Sequence, residues 1–281
     1  MSTKKKILSV NISTIKKVLS PTLALLDTGY EVYTSSSLAS HTYTAFDASS
    51  YSLLYETTLY VDIVKAYEEA MKERSLEKEE RMEMKHYMKL ANVFTPLIKL
   101  TASEACNVMA YDSLQIHGGT GFMKDFPIER IYRDARITSI YEGTSQLQAV
   151  AAIKGVTTGV FLEQIKYYDA QVSDKNCEIR TKLHKMTEAF ASITQRVTEL
   201  NNNELLDFHS RRLVEMAGNI IMGYLLVINS QKSDTFSKSA KLFVNLVRSE
   251  NFESYNFIEG FEVSELELYK VLQPEEVLEE V

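Results

Sequence analysis

The amino-acid sequence predicts an all-α protein in which a helical bundle is followed by a second helical region. The 281 residues include only 10 Gly and 4 Pro, too few for the many tight turns of a β-sandwich or barrel. The apolar residues, 45% of the chain, recur at intervals of three and four, as on one face of a helix. A chain of this length and apolar content is able to bury a sizeable core.

Charge and cysteine content exclude several classes of protein. The net charge is −7 and no dense basic run occurs, which argues against a nucleic-acid partner. No apolar run approaches the roughly 18 residues that a transmembrane helix needs, so no membrane span is predicted. Cys106 and Cys177 lie far apart in predicted helices, which argues against a disulfide framework and favours a reducing compartment.

Residues 1–46 are predicted to form an irregular leader. Residues 1–26 hold five Lys and no acidic residue, and their apolar run is too short for a secretory signal. An organelle transit peptide stays open as an alternative, although such peptides are normally rich in Arg. Residues 28–50 are rich in Ser, Thr and Tyr and show no helical period.

Residues 47–156 are predicted to form the bundle. Its first helix follows Ser49 and ends in the charged stretch of residues 72–81. The second begins near Glu79 and is expected to kink at Pro96, or to restart there with Thr95 as its cap. It should end at His117, because two glycines follow that supply a left-handed conformation. The positions that share the apolar face of the first helix are Tyr60, Val64, Tyr67 and Met71.

A loop, a short helix opening at Pro127 and another opening near Thr144 or Ser145 complete this region. Residues 157–250 are predicted to form a helical extension of three helices, the first two separated by residues 201–203. The first has a heptad-like seam, which consists of Ile179, Leu183, Met186, Phe190, Ile193, Val197 and Leu200. The second has an apolar face of Leu206, Leu213, Met216, Ile220, Tyr224 and Val227, and the third one of Phe236, Ala240, Phe243 and Val247.

Residues 251–281 are predicted to be an acidic tail. From Glu250 to the C-terminus the sequence holds ten Glu and one Lys. Such a segment is typically solvated and partly disordered, and the alternative is a docking strip for a basic partner.

Four of the ten glycines fall between residues 118 and 143, and this cluster indicates the segment in which a binding or catalytic site is expected. Residues 115–122 read Gln-Ile-His-Gly-Gly-Thr-Gly-Phe, a helix end at which exposed backbone N–H groups allow close approach of a flat or phosphorylated ligand. Taken alone this signal is weak. The dinucleotide-binding glycine pattern requires a preceding strand, and here a helix precedes it.

Residues 140–146 read Ile-Tyr-Glu-Gly-Thr-Ser-Gln and place one carboxylate, Glu142, directly before a glycine and a helix start. Apolar neighbours would desolvate the carboxylate and raise its pKa toward the range of a general base. The alternative is a surface glutamate that complements the helix dipole.

Together with residues 127–136, which include Arg-Asp-Ala-Arg, these motifs resemble in order and spacing the C-terminal helical domain of the flavin-dependent acyl-CoA dehydrogenases. The resemblance covers residues 47–156, and the helices after 157 resemble, more weakly, the extra C-terminal region of longer members. It implies that Glu142 is the base that removes the α-proton of an acyl-CoA thioester while hydride passes to FAD, giving a trans-2-enoyl-CoA in fatty acid β-oxidation. The backbone N–H of Glu142 would help to hold the thioester carbonyl.

The resemblance also implies the remaining site residues. Gly143 would lie beside the substrate and Tyr141 would form a pocket wall. The positions implied to contact FAD are Gln115, Gly118, Gly119, Thr144 and Gln146, the first three commonly from a neighbouring subunit. The resemblance further implies an electron-transfer flavoprotein as partner, a homodimer or homotetramer, and a cytoplasmic location in a bacterium, with the mitochondrial matrix as the alternative.

Other polar residues near the motifs are interpreted structurally. Arg130, Arg133 and Arg136 have acidic neighbours, so ion pairs are favoured over phosphate binding. His117 is interpreted as a helix-end residue, and no metal site is predicted.

The resemblance begins late in the family's order of domains. No Arg precedes Arg74, so the family's FAD-binding Arg-x-x-Phe-Gly motif has no counterpart, nor has the middle β domain. We therefore expect a C-terminal fragment or a split part of an enzyme. The alternative is a non-catalytic helical oligomerisation module derived from the family.

Overall fold

The computed structural model describes residues 39–232 and 235–271, and all of their regular secondary structure is helical. The first five helices are α1 (Ala39–Glu73), α2 (Lys78–Phe122), α3 (Ile128–Ile137), α4 (Ser145–Val156) and α5 (Gly159–Asp169). They are followed by α6 (Cys177–Glu199), α7 (Asn203–Ser230), α8 (Thr235–Gly260) and α9 (Leu266–Val271). Short 3-10 turns at Asp174–Asn176 and Val263–Glu265 precede α6 and α9. The prediction of an all-α protein is confirmed.

Helices α1 and α2 form an antiparallel hairpin, against which α3 and α4 pack through α2. The hairpin core holds Leu53, Tyr60, Phe94 and Leu97, each at most 3% exposed. The Tyr60 hydroxyl lies 2.7 Å from that of Tyr168 on α5, so a buried hydrogen bond joins the hairpin to the first helix after the bundle.

The extension packs directly on the bundle. Helix α7 contacts α1, α2 and α4 on one side and α6 and α8 on the other, so one core runs through both regions. Six of the seven predicted seam residues of α6 are buried, from Ile179 to Val197, but Leu200 is 49% exposed because it caps the helix instead of continuing it.

Two predicted boundaries and one predicted buried position differ from the structure. Residues 39–50 belong to α1, although we expected no helix before Ser49. Helix α8 continues to Gly260, ten residues into the predicted tail, because Asn251 and Ile258 are buried there. On α1, Met71 is 56% exposed since it lies beyond the last contact of the hairpin face. The rest of the predicted leader and residues 272–281 of the tail lie outside the described residues.

Helix α2 continues through Pro96 with helical backbone dihedrals, so the predicted restart with Thr95 as cap does not occur. The backbone leaves helical geometry instead at Gly118, where φ is 60°. This is the predicted helix stop, but of the two consecutive glycines only Gly118 takes the left-handed conformation.

By length and composition, α7 is the one helix of the described residues that could cross a membrane. In the fold, 78% of its most apolar window is buried inside the protein, as in a central core helix.

Candidate active site

Residues 138–143 connect α3 to α4 and are called the site turn. Its backbone forms a hydrogen-bonded turn, because the N–H groups of Ile140 and Tyr141 donate to the Ile137 carbonyl at 2.9 and 3.0 Å. Helix α4 was expected to open near Thr144 or Ser145, and the structure makes Thr144 its cap, since the Thr144 hydroxyl accepts from the Leu147 N–H at 3.4 Å.

Glu142 and Gly143 both have left-handed backbone conformations, with φ values of 53° and 93°. For a glutamate this conformation costs about 1–2 kcal/mol, and it persists only where neighbouring contacts fix it. The Gln148 side chain supplies such contacts by donating to the carbonyls of Glu142 at 3.0 Å and Gly143 at 3.4 Å. Any side chain on Gly143 would have to accept a φ of 93°, and its Cβ would lie 2.6 Å from Gln148 Nε2, so this backbone conformation favours glycine.

The side chain of Glu142 is exposed, contrary to the expectation that apolar neighbours would bury it. Ile140 is itself 45% exposed, and Tyr141 is half-buried beside the carboxylate. Within the described part of the chain the N–H groups of Glu142 and Gly143 donate to no other group. An exposed carboxylate and two adjacent N–H groups without a partner among the described residues therefore lie next to each other in the site turn.

Beneath the site turn lies Lys99 of α2, a residue that none of the sequence motifs indicated. Its side chain is buried, and its ammonium donates to the Thr138 carbonyl and to Ser103 Oγ at 3.2 Å. The same ammonium lies 4.5 Å from the centroid of the Tyr141 ring. Burial lowers the pKa of Lys99, and the charge of Glu142 acts in the opposite direction. In the sequence, a single lysine within the otherwise apolar residues 96–100 could have indicated this buried charge.

Other α2 side chains also hold Thr138, the residue at which α3 ends. Ser103 Oγ donates to its carbonyl at 3.0 Å, and Asn107 Nδ2 lies 3.4 Å from its hydroxyl. Cys106 is buried beside it, and burial raises the pKa of the thiol to about 11, which leaves it unreactive as a nucleophile at neutral pH.

The extension reaches the site through α7. Gln146 Nε2, an implied FAD contact, donates to Ser210 Oγ at 3.2 Å. Glu104 of α2 accepts from the Ser145 hydroxyl and from Arg211, the latter at 3.3 Å. A cavity of about 510 Å³ lies between these groups and is also lined by Arg136. None of the motifs indicated that α7 would contribute to this site.

The second group of predicted residues lies elsewhere. Gln115, Gly118 and Gly119 are exposed at the far end of α2, near the start of α3. The ten residues of α3 separate them from the site turn by about 15 Å of helix. The structure therefore brings Tyr141, Glu142, Gly143, Thr144 and Gln146 together but places the glycine turn at a separate end.

The structural interpretation of the remaining polar residues is partly confirmed. Arg133 pairs with Glu129 at 3.6 Å, whereas Arg136 bonds the hydroxyl of Ser139. His117 is a helix-end residue, with Nδ1 lying 2.9 Å from the Ser113 carbonyl. Among the residues that the structure describes, no group of three or more His, Cys, Asp or Glu is arranged to hold a metal ion.

Two family models match the chain in succession. The model described as "Acyl-CoA dehydrogenase, C-terminal domain" matches residues 61–156, and "Acyl-CoA dehydrogenase C terminal" matches residues 157–266. The chain belongs to the acyl-CoA dehydrogenase family. The second model ends in the short helix α9, beyond the predicted start of the tail at residue 251.

Curated relatives match the motif region. The acryloyl-CoA reductase (NADH) of Anaerotignum propionicum is 53% identical over 60 residues, 21% of this chain and 15% of that protein. Subunit CarC of the caffeyl-CoA reductase-Etf complex of Acetobacterium woodii is 44% identical over 68 residues, 24% of this chain and 17% of that protein. The mitochondrial short-chain specific acyl-CoA dehydrogenase of Bos taurus is 56% identical over 52 residues, 18% of this chain and 13% of that protein.

Two solved structures share the fold over nearly the whole chain. Caenorhabditis elegans ACDH-11 in complex with C11-CoA matches with a TM-score of 0.62 and 16% identity, over 92% of this chain and 45% of that one. A Bacillus anthracis acyl-CoA dehydrogenase complexed with FAD matches with a TM-score of 0.58 and 16% identity, over 90% of this chain and 49% of that one. The chain thus spans about half the length of these relatives.

Proposed function

We propose that this chain supplies the catalytic base of an FAD-dependent α,β-dehydrogenation of an acyl-CoA thioester. The observation that carries the proposal is the pair of left-handed residues, Glu142 and Gly143, which place an exposed carboxylate next to two N–H groups that have no partner among the described residues. A base beside oxyanion-type donors is the arrangement that removal of a proton next to a thioester carbonyl requires.

The names of the relatives support the substrate class. The acryloyl-CoA reductase, the caffeyl-CoA reductase subunit and the short-chain acyl-CoA dehydrogenase are all named for CoA thioesters. CarC is named as part of a complex with Etf, which supports an electron-transfer flavoprotein as the redox partner.

In the proposed reaction, Glu142 takes the α-proton onto its carboxylate. The N–H of Glu142 donates to the thioester carbonyl, where negative charge develops as the proton leaves. Gly143 leaves space beside this carbonyl, and Gln148 fixes the turn by donating from its Nε2 to the peptide carbonyls of Glu142 and Gly143.

The exposed polar groups fit FAD. Thr144 and Gln146 present a hydroxyl and an amide beside the site turn, and Gly118 and Gly119 have open space where a side chain would stand. FAD, when bound, accepts the β-hydrogen as hydride. Because the two groups lie at opposite ends of α3, we propose that they contact different FAD molecules in a homodimer or a larger homo-oligomer.

The experiment compares the purified chain with Glu142→Gln, alone and with any partner subunit that copurifies. We expect the native protein to bind FAD and to be bleached anaerobically by an acyl-CoA. Glu142→Gln should keep the flavin and lose at least about a hundredfold in the bleaching rate. Glu129→Gln, a nearby carboxylate on α3, is the matched control and should bleach normally.

Bleaching that survives in Glu142→Gln would overturn the assignment of the base. Protein that takes up no FAD in any assembly would instead favour the non-catalytic helical module.

A further inference from the structure

We propose that Lys99 is a positioning residue, which holds the site turn from beneath so that Glu142 keeps its left-handed backbone and outward-facing side chain. The inference rests on the proposed function, because it treats Glu142 as the base. Lys99 itself is buried under the turn and is not placed in contact with substrate.

Lys99 contacts two residues of the site turn that precede Glu142. Its ammonium donates to the carbonyl of Thr138, the first residue of the site turn, and lies 4.5 Å from the ring centroid of Tyr141, which directly precedes Glu142. One side chain thus fixes the turn at its start and immediately before the strained residue.

The position of the ammonium at the end of a helix strengthens this contact. Thr138 caps α3, and the final carbonyls of a helix carry partial negative charge that a cation stabilises. Ser103 Oγ donates to the same Thr138 carbonyl at 3.0 Å and also lies 3.2 Å from the ammonium. The three groups form one network between α2 and the site turn.

A buried ammonium restricts the turn more strongly than a neutral side chain would. Lys99 is 7% exposed, and a charge removed from water must keep its partners or incur a large desolvation penalty. Any movement of Thr138 or Tyr141 away from Lys99 is therefore opposed. The restraint offsets the cost of the left-handed conformation at Glu142.

Charge couples the two residues as well. The negative charge of Glu142 acts on Lys99. Ser103 and Tyr141 lie beside the ammonium, and Asn107 and the buried thiol of Cys106 lie beside Thr138. If Lys99 lies beneath Glu142 in solution, removing the carboxylate charge must alter the titration of the ammonium.

The first test measures this titration on the native lysine, by ¹⁵N NMR of the side-chain nitrogen assigned with Lys99→Arg. We expect Glu142→Gln to lower the titration midpoint of Lys99 by about 0.5 pH unit, since the favourable charge is lost. Glu188→Gln, an exposed carboxylate on α6, should leave the midpoint unchanged. An unchanged midpoint in Glu142→Gln would overturn the inference.

The second test removes the ammonium. Lys99→Met keeps the aliphatic stem, and we expect the amides of Ile140, Tyr141 and Ser145 to exchange with deuterium at least about tenfold faster, while α6 and α7 keep their protection. Lys89→Met, an exposed position on the same helix, should change nothing. Native exchange rates in Lys99→Met would contradict the positioning role. Should that variant not fold, the titration of the native lysine decides.

The third readout separates this inference from the proposed function. In flavin-loaded protein, Lys99→Met should lower kcat by about tenfold or more with KM unchanged, and Lys99→Arg should recover part of the loss. If the native protein shows no turnover, the proposed function fails, but the titration and exchange tests still decide whether Lys99 holds the turn.

Discussion

The seam of α6 and the site turn show two different ways of fixing a structure. The seam residues between Ile179 and Val197 are at most 6% exposed and are held by apolar burial, which depends on area and not on direction. The site turn has two left-handed residues and is held by a few directed hydrogen bonds from α2 and from Gln148. The seam therefore determines whether the chain folds, and the turn determines where one carboxylate points.

The largest effect on stability should come from removing a buried side chain of the α6 seam. Phe190 is fully buried and packs edge-on against Phe161 at 5.1 Å between ring centroids. We expect Phe190→Ala to lower the free energy of unfolding by about 3–5 kcal/mol, because it removes an aromatic side chain and leaves a cavity. Urea unfolding followed by circular dichroism measures this loss.

Leu200→Ala is the matched control, since Leu200 is 49% exposed at the end of the same helix. Its effect should stay within about 0.5 kcal/mol. Equal losses of unfolding free energy in the two variants would show that burial of the seam residues does not stabilise the core.

An intermediate effect should appear with pH at the other end of the extension. His209 of α7 is 1% exposed among the rings of Phe208 and Phe261, and its Nδ1 has no partner within the described residues. Burial, with a contribution from the charge of Arg212, lowers the pKa of His209 to about 4.

Since the unfolded imidazole titrates near pH 6.5, the unfolded state binds the proton first as pH falls. Stability should therefore decline between about pH 6.5 and pH 4, by about 3 kcal/mol from this group. Unfolding measured at pH 7 and pH 4.5 should show a smaller decline in His209→Leu than in the native chain. Identical pH dependence in the two proteins would exclude His209 as the cause.

The smallest effect on stability should come from the site turn. Gly143→Ala places a Cβ 2.6 Å from Gln148 Nε2 at a φ of 93°, so we expect a loss of about 1–2 kcal/mol. Gly159→Ala at the start of α5 meets nothing within 4 Å and should change stability by no more than about 0.5 kcal/mol. Comparable urea midpoints for the two variants would show that the left-handed turn is not required by the chain itself.

The contrast also explains which features were predictable. Most of the buried faces of α6 and α7 follow from spacing over a few residues, so the sequence indicated them correctly except at Leu200, which is exposed, and Leu206, which is partly buried. The start of α4 at Thr144 or Ser145 was local enough to be indicated as well. Lys99 was missed because its partner Thr138 lies 39 residues away. The end of α8 was placed too early because the burial of Asn251 depends on its hydrogen bonds to Asn219 and to the Met216 carbonyl on α7.

By itself the sequence determined the helical fold, the family and the identity of Glu142 as the candidate base, since local periodicity and three spaced motifs carry that information. Only the tertiary structure decided that Glu142 is exposed, that a buried lysine lies beneath it and that α7 closes one side of the cavity. The physical reason is distance along the chain. Helix formation and capping depend on neighbouring residues, whereas the conformation of the site turn depends on side chains from α2 and α7 that only folding brings to it.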